Sequence, residues 1–354
     1  MIAYLDNAAT TRPQPKVIEN VNHMLTECYG NPSSLHTMGI AAEREITATR
    51  RKVADMLGKE PKEIYFTSGG TESNNIALIG SLPRGGHVIT TKIEHKSVLE
   101  PLKRFEVDLV DVNKNGIIDL DHFESILRSD TKLVSVMHVN NEVGSIQPIR
   151  EIAEILRNTN TLFHVDAVQS FCKLDTRIPA DLISISGHKI GGLKGTGALF
   201  IRSGVNIKPL TVGGGQEKNL RSGTENVPGI AALGAACKMM DYEYITRLKA
   251  EMLRLLPSNA IIISPSNASP YVLSVAFKGI RSEILLHSLE RHQVYVSSGS
   301  ACGLNQPSHV VAAMGYSREV VDSTIRISFA PWNTIEEINY ASDMIREEVS
   351  KLCR

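Results

Sequence analysis

Short apolar segments alternate with amphipathic segments from about residue 15 to residue 245, and this alternation limits the possible folds more than any other feature of the sequence. The apolar segments predict seven strands, at 64–67, 86–90, 109–112, 133–138, 162–165, 182–186 and 198–201. The amphipathic segments predict helices that include 41–57, 71–81, 97–105, 120–128 and 149–159. Such alternation is typical of an α/β fold, with helices covering a mostly parallel seven-stranded sheet. Ligands of these sheets bind beyond the carboxyl ends of the strands.

The pattern changes after about residue 245. A helix is predicted at 244–256, short strands at 261–264 and 272–277, a second helix at 281–290 and a strand at 294–297. We interpret this region as a smaller α+β domain with which the first residues of the chain pack. The sequence therefore predicts a large domain over 15–245 and a small domain made of 1–14 and 246–354.

The composition is that of an ordinary globular protein, with 354 residues of which 42% are hydrophobic and 21% charged. Lys plus Arg equals Asp plus Glu, so no basic excess attracts nucleic acid or an anionic membrane. The first residues do not show the basic segment and apolar run of a signal peptide. No apolar run in the sequence is long enough to cross a bilayer. We therefore expect a cytoplasmic protein. Five cysteines without a CxxC pair favour neither a disulfide framework nor a zinc site.

Residues 111–122, DVNKNGIIDLDH, imitate the acidic and amide spacing of a calcium-binding loop. The twelfth position, where such a loop requires a bidentate Glu, is His122, and a strand precedes the segment where a helix should stand. We expect a polar turn here and no metal site.

Lys189 ends the segment SISGHK at 184–189, directly after a predicted strand. A lysine that forms a Schiff base must stand in such a place, on a rigid element beside an open cleft. The alternative is an ordinary surface lysine that follows a strand. This segment alone does not choose between them.

Two further segments suggest a cofactor site. Asp166 follows the strand at 162–165 by one position, where a carboxylate can hold a proton on a heteroaromatic ring nitrogen, although it could also simply cap a helix. It precedes Lys189 by 23 residues, which leaves room for one helix between adjacent strands. In FTSGGTESNN at 66–75, glycines between a strand and a helix can bring backbone N–H groups and the Thr71 hydroxyl to a phosphate. A plain glycine turn is the alternative.

Together these segments resemble the cysteine desulfurases of the NifS/IscS-like type, in the class V aminotransferase branch of the fold-type I pyridoxal-phosphate enzymes. The similarity runs from YLDNAATT at 4–11 to IRIS at 325–328, nearly the whole chain. Other matching segments are GNPSSLH (30–36), EHK (94–96), MHVNNEVG (137–144), RSGT (221–224) and SSGSAC (297–302). The resemblance implies a large domain that binds pyridoxal 5'-phosphate and a reaction that converts L-cysteine to L-alanine.

The resemblance also assigns roles around the cofactor ring. Lys189 would bind the cofactor as a Schiff base, and Asp166 would pair with the pyridine nitrogen. Gln169 would hydrogen-bond near the ring oxygen. His95 would stack on the ring, and Asn141 would lie near the ring and the substrate.

The remaining assignments concern the phosphate and the substrate. Thr224 would reach the phosphate of the neighbouring subunit, which implies a homodimer. Arg326 would bind the substrate carboxylate, for which its planar guanidinium is a natural bidentate partner. The phosphate would be held by Gly70, Thr71, Ser186 and His188.

Cys302 ends SSGSAC and precedes GLNQP, a composition that predicts a mobile loop. A cysteine that collects sulfur at a cofactor and then delivers it elsewhere needs such a loop, whereas a lone cysteine is more commonly a buried structural residue. The resemblance favours the first role. The Cys302 thiolate would attack the sulfur of substrate cysteine and become a persulfide, with His95 as the proton carrier. An iron–sulfur scaffold or a tRNA-thiolation enzyme would then accept the sulfur.

Three alternatives stay open from the sequence. A class V aminotransferase of the same fold would release no sulfur, and Cys302 would be incidental. A selenocysteine lyase would use the same site on selenium. A catalytically idle sulfur-assembly scaffold would bind partners only, although the intact Lys189 and Asp166 argue against it.

Overall fold

The computed structural model describes residues 1–298 and 307–353, so Cys302 lies outside the described residues. Within them, helices α1 to α12 are Pro15–Thr26, Thr37–Leu57, Gly70–Ser81, Lys96–Leu102, Leu120–Ile126, Ile149–Leu156, Val227–Ala236, Tyr242–Leu255, Ser282–Glu290, His309–Ala313, Arg318–Asp322 and Ile335–Leu352. Strands β1 to β12 are Ala3–Tyr4, Ile64–Thr67, His87–Thr91, Glu106–Val110, Thr131–Met137, Leu162–Asp166, Leu182–Ser186, Gly197–Ile201, Ile261–Ile262, Val272–Ala276, Val294–Tyr295 and Thr324–Ser328.

The predicted seven-stranded sheet is confirmed. Its strand order is β2-β8-β7-β6-β5-β3-β4. The strands from β7 to β4 pair in parallel, and β8 runs antiparallel to both of its neighbours. The largest change from the expected bounds is in β4, which begins at Glu106, because this edge strand is half exposed and its charged residues obscure the apolar pattern.

The two faces of the sheet are buried under different helices, as strand β7 shows. Leu182 packs in one apolar cluster with Ile76 of α3, whereas Ile183 packs in another with Val53 of α2. Because both faces are covered, the strand is a continuous apolar run rather than an alternating one. Burial on both faces leaves the carboxyl ends of the strands as the accessible place for polar side chains.

The connection between β6 and β7 is long enough for a helix but does not form one. The segment 167–181 consists of turns and extended residues, and it contains no helix. Cys172 has φ 60°, a left-handed conformation that a continuous right-handed helix cannot include. In addition, Asp166 is the last residue of β6 rather than the residue after it.

The C-terminal region forms a second, smaller packing unit with the start of the chain. Strands β12, β10 and β9 form an antiparallel sheet, and β1 pairs in parallel with β11. Ala3 and Leu5 lie in the same apolar cluster as Ile245, Leu273 and Ile345. The two predicted domains, 15–245 and 1–14 with 246–354, are compatible with this packing, and their exact limits stay a prediction.

The segment that imitates a calcium loop folds as a turn. Val112 pairs with Ile118 across it, and Gly116 has φ 64°. Across residues 1–298 and 307–353, no group of three or more His, Cys, Asp or Glu side chains is arranged to hold a metal ion. In the same part of the chain, every helix is too short or too polar to span a membrane.

Candidate active site

A cavity of about 320 Å³ opens at the carboxyl ends of the parallel strands, where an α/β sheet places its ligands. Asp166 ends β6 and Ser186 ends β7, while Gly70 begins the helix after β2. Ten of the twelve site residues predicted from the sequence line this cavity: Gly70, Thr71, His95, Asn141, Asp166, Gln169, Ser186, His188, Lys189 and Arg326.

The other two predicted residues are not among those that line the cavity. Thr224 is exposed on the surface of the chain. Cys302 lies outside the described residues, but residues on both sides of that segment reach the site. Ser297 exchanges two backbone hydrogen bonds with Arg326, at 3.0 and 2.7 Å, and His309 lines the cavity.

Lys189 lies in a short 3₁₀ turn directly after β7. Its Nζ donates to the carbonyl oxygens of Ala8 and Ala9, both at 2.7 Å. The Thr11 N–H donates to the carbonyl of His188, so the first residues of the chain form a wall of the site beside this amine. The turn and the two carbonyls hold the amine at the cavity.

A hydrogen-bond network joins Asp166 to His95. The Asn74 Nδ2 donates to Asp166 Oδ2 and to Ser97 Oγ, both at 2.8 Å, and Ser97 Oγ lies 2.7 Å from His95 Nδ1. The other carboxylate oxygen of Asp166 accepts the Val168 N–H at 2.9 Å. This network fixes the carboxylate and the imidazole ring relative to each other.

Burial keeps two histidines of the site neutral near pH 7. Desolvation lowers the pKa of His95, and the carboxylate of Asp166 offsets this only in part. His95 Nδ1 accepts the Ser97 N–H at 3.1 Å, so the proton of the neutral ring lies on Nε2. Burial, followed by the charge of Lys189, lowers the pKa of His188 to about 4.

The start of α3 forms a cradle for an anion. Gly69, at φ 150°, supplies no side-chain cap, so the first N–H groups of the helix are available to a ligand. A Cβ on Gly70 would lie only 2.6 Å from the Val168 side chain, so a residue with a side chain at position 70 would clash with Val168. The buried Ser186 Oγ has no hydrogen-bond partner among the described residues. These features match the needs of a phosphate group.

Arg326 places a guanidinium group in the cavity from the middle of β12, with 1% of the residue exposed. Its Nη2 pairs with Asp6 Oδ1 at 2.8 Å and its Nη1 donates to the Asn141 carbonyl at 2.9 Å. The buried Nε has no partner among the described residues. The group is therefore held rigidly and retains an unsatisfied donor for a carboxylate.

The family model described as aminotransferase class-V matches residues 3–340 of this chain. The chain belongs to the aminotransferase class-V family. The match covers every residue that lines the cavity of this class-V chain, including the predicted lysine.

Alignments with relatives cover almost the full length of this class-V chain. A cysteine desulfurase IscS from Methanosarcina thermophila is 40% identical, and the alignment covers 99% of this chain and 92% of the relative. A solved structure described as a NifS-like protein is 40% identical with a TM-score of 0.93, covering 99% of this chain and 100% of the other. A structure described as SspA in complex with cysteine is 35% identical with a TM-score of 0.85, covering 94% and 100%.

The class-V site also contains residues that the sequence did not single out. Glu142 lines the cavity, accepts a hydrogen bond from Ser308 Oγ and has a pKa raised by burial. His309 lines it as well, with Nε2 3.0 Å from the carbonyl oxygen of Glu94. Glu142 and Asn74 lie in matching segments, 137–144 and 66–75, which was an available signal, whereas His309 lies in none.

Proposed function

We propose that this protein is a pyridoxal-phosphate-dependent cysteine desulfurase that converts L-cysteine to L-alanine and leaves a persulfide on Cys302. The observation that carries this proposal is the convergence of Lys189, Asp166 and Arg326 on one cavity. A covalent anchor, a partner for a ring nitrogen and a carboxylate site are the groups that an amino-acid substrate on this cofactor needs. Relatives named cysteine desulfurase, and a neighbour in complex with cysteine, support this substrate.

The residues present fit pyridoxal 5'-phosphate. The phosphate would be held at the uncapped start of α3 by Gly70 and Thr71, together with the unpartnered Ser186 hydroxyl and His188. Asp166 would pair with the ring nitrogen, His95 and Gln169 would contact the ring, and Lys189 would be the covalent anchor. When bound, the cofactor supplies an electron sink for the negative charge that develops on the substrate.

The side chains of this chain would then divide the remaining tasks. Arg326, which lines the cavity, would bind the substrate carboxylate, and Asn141 lies beside it. The carbonyls of Ala8 and Ala9 give the Lys189 amine a place to rest when it is not bound covalently, from which it can move the Cα proton of the substrate. His95 would act as the proton carrier by donating its Nε2 proton, because its Nδ1 already accepts the Ser97 N–H.

Cys302 completes the reaction as the nucleophile. Its thiolate attacks the substrate sulfur, so that a sulfur–sulfur bond forms while the Cβ–S bond breaks. The Cβ that loses sulfur takes a proton and leaves as part of alanine. In balance, one cysteine and one thiol give one alanine and one persulfide. The acceptor of that sulfur, an iron–sulfur scaffold or a thiolation enzyme, and the cytoplasmic location stay predictions.

Replacing Cys302 with serine tests this chemistry. With L-cysteine and pyridoxal phosphate but no keto acid, the unaltered protein is expected to release alanine and to carry one added sulfur atom on Cys302. Cys302→Ser should retain the bound cofactor but lose both products, as measured by amino-acid analysis and mass spectrometry. Cys353→Ser, which removes an exposed thiol at the far end of the chain, is the matched control and should behave like the unaltered protein.

Three other results would favour the alternatives. Alanine that appears only with added keto acid would indicate an aminotransferase. A much higher rate on selenocysteine than on cysteine would indicate a selenocysteine lyase. A protein that stays colourless with added cofactor would indicate a scaffold. Undiminished sulfur transfer by Cys302→Ser would contradict the role of that residue.

We also propose that the protein is a homodimer in which Thr224 contacts the cofactor phosphate bound to the partner. Thr224 is exposed in the single chain, and Thr211 pairs with Arg221 in the same surface segment. Val212, beside Thr211, is 79% exposed, as expected for an apolar residue that a second copy covers. Light scattering should give about twice the chain mass of 38.8 kDa. Val212→Asp should shift it toward one chain mass, and a monomeric unaltered protein would contradict the proposal.

A further inference from the structure

Lys173 is a buried lysine next to the active site that the proposed mechanism does not use. It lies in the turn segment after β6 and is 5% exposed. Its Nζ donates to Gln169 Oε1 at 3.3 Å and lies 5.5 Å from the centre of the Tyr271 ring. No carboxylate among residues 1–298 and 307–353 forms an ion pair with it. A buried lysine without a carboxylate partner is costly, so its presence calls for a reason.

Two hydrogen bonds, one from Lys173 and one to the Ala8 carbonyl, fix the orientation of the Gln169 side chain. An amide has one acceptor end and one donor end, and a protonated lysine can only donate. The oxygen of Gln169 therefore faces Lys173, and its Nε2 donates to the Ala8 carbonyl at 3.0 Å. The same carbonyl accepts from Lys189. Gln169 and Ala8 both line the cavity, and the amide nitrogen keeps one further N–H to donate.

Two cationic groups of the active site, Lys189 and Arg326, act on Lys173. Burial, followed by the positive charges of Lys189 and Arg326, lowers the pKa of Lys173 to about 7, and the Cys172 thiol offsets this in part. The Tyr271 ring and the Cys172 thiol are its other close neighbours. An anionic ligand that entered the cavity would offset this repulsion, because it would place negative charge beside three cationic groups.

We propose that Lys173 is a positioning residue of the active site, which holds Gln169 Oε1 so that the Gln169 amide N–H is presented to the ring oxygen of pyridoxal phosphate. Because Nζ is cationic for part of the time at neutral pH, it also polarises that amide and strengthens it as a donor. The inference depends on the proposed function only for the identity of the cofactor. Lys173 acts through Gln169 and needs no contact with the substrate.

Equilibrium binding of pyridoxal phosphate to the cofactor-free protein tests the proposal without any turnover. Lys173→Met is expected to weaken binding about tenfold, the effect of losing one charge-assisted hydrogen bond. It should also change the pH at which the visible absorption band of the bound cofactor shifts. Lys173→Arg keeps the donors and should bind nearly as well as the unaltered protein. Lys249→Met removes a half-buried lysine, which donates to the Ser269 carbonyl, and should bind normally.

A double-mutant cycle with Gln169→Leu separates positioning from a general packing role. If Lys173 acts through Gln169, then Lys173→Met should have no further effect on cofactor binding in the Gln169→Leu background. Additive effects, or unchanged binding by Lys173→Met alone, would overturn the proposal. If melting shows that Lys173→Met does not fold, Lys173→Gln takes its place in the same cycle.

The two proposals can fail separately in this design. Normal cofactor binding without alanine from cysteine would overturn the proposed function and leave the positioning test intact. A protein that binds no pyridoxal phosphate would overturn both.

Discussion

Lys189→Ala is expected to reduce the turnover of L-cysteine by at least about a thousandfold, the scale of a lost acid–base catalyst. The variant would lose the amine that we propose as the covalent anchor of the cofactor and as the group that moves the Cα proton. It should still bind pyridoxal phosphate reversibly, because the anion cradle at Gly70 and the network that fixes Asp166 do not include Lys189. Steady-state alanine formation and the absorption spectrum of the bound cofactor measure these two effects separately.

The matched control for this prediction is Lys194→Ala. Lys194 lies five positions further along the same glycine-rich stretch, is exposed and is not among the residues that line the cavity. It should bind cofactor and turn over cysteine at the normal rate. Borohydride reduction of the loaded protein, followed by peptide mapping, should place the cofactor on Lys189. A label on another lysine would overturn the proposed site.

Glu217→Ala is expected to lower the free energy of unfolding by about 3–5 kcal/mol, because it leaves a largely buried guanidinium without its partner. Glu217 is 3% exposed in its side chain and accepts two hydrogen bonds from Arg50, both at 2.8 Å. It also accepts the Phe66 N–H at 2.9 Å. Glu217, Lys218 and Asn219 have positive φ of 46°, 56° and 69°, an uncommon backbone that these contacts help to hold.

Denaturant unfolding measures the effect, and the double-mutant cycle shows its origin. Arg50→Ala should lower the free energy of unfolding by a similar amount. The double variant should lower it by clearly less than the sum of the two single effects. Glu106→Ala removes the partner of Arg128 in an exposed ion pair and should leave the unfolding transition unchanged. Equal effects of Glu106→Ala and Glu217→Ala would contradict this explanation. Because Phe66 lies in β2, which leads into the anion cradle at the start of α3, cofactor affinity should fall together with stability.

The central sheet was predictable because its strands are buried on both faces. Such strands are uninterrupted apolar runs, as at 182–186, and their bounds were confirmed for β7 and nearly so for β6. Asp166 and Lys189 were predictable as neighbours for the same reason, since parallel strands present their carboxyl ends at one edge. The predicted bounds of the edge strand β4 lay too far along the chain, because contact with water on one side of this strand breaks the apolar pattern. The segment before β7 has room for a helix but forms turns, and Cys172 there has a left-handed backbone conformation.

What the sequence by itself determined was the α/β architecture, the family and ten residues of the cavity, because these depend on local periodicity and on motifs that are contiguous in the chain. What only the tertiary structure decided was how those residues are held. Asn74 reaches Asp166 across 92 positions, and Arg326 reaches Asp6 across 320. The role proposed for Lys173 follows only from its burial against Gln169 and Tyr271. Burial and long-range hydrogen bonds set the charge state and orientation of a side chain, and neither is present in an unfolded chain.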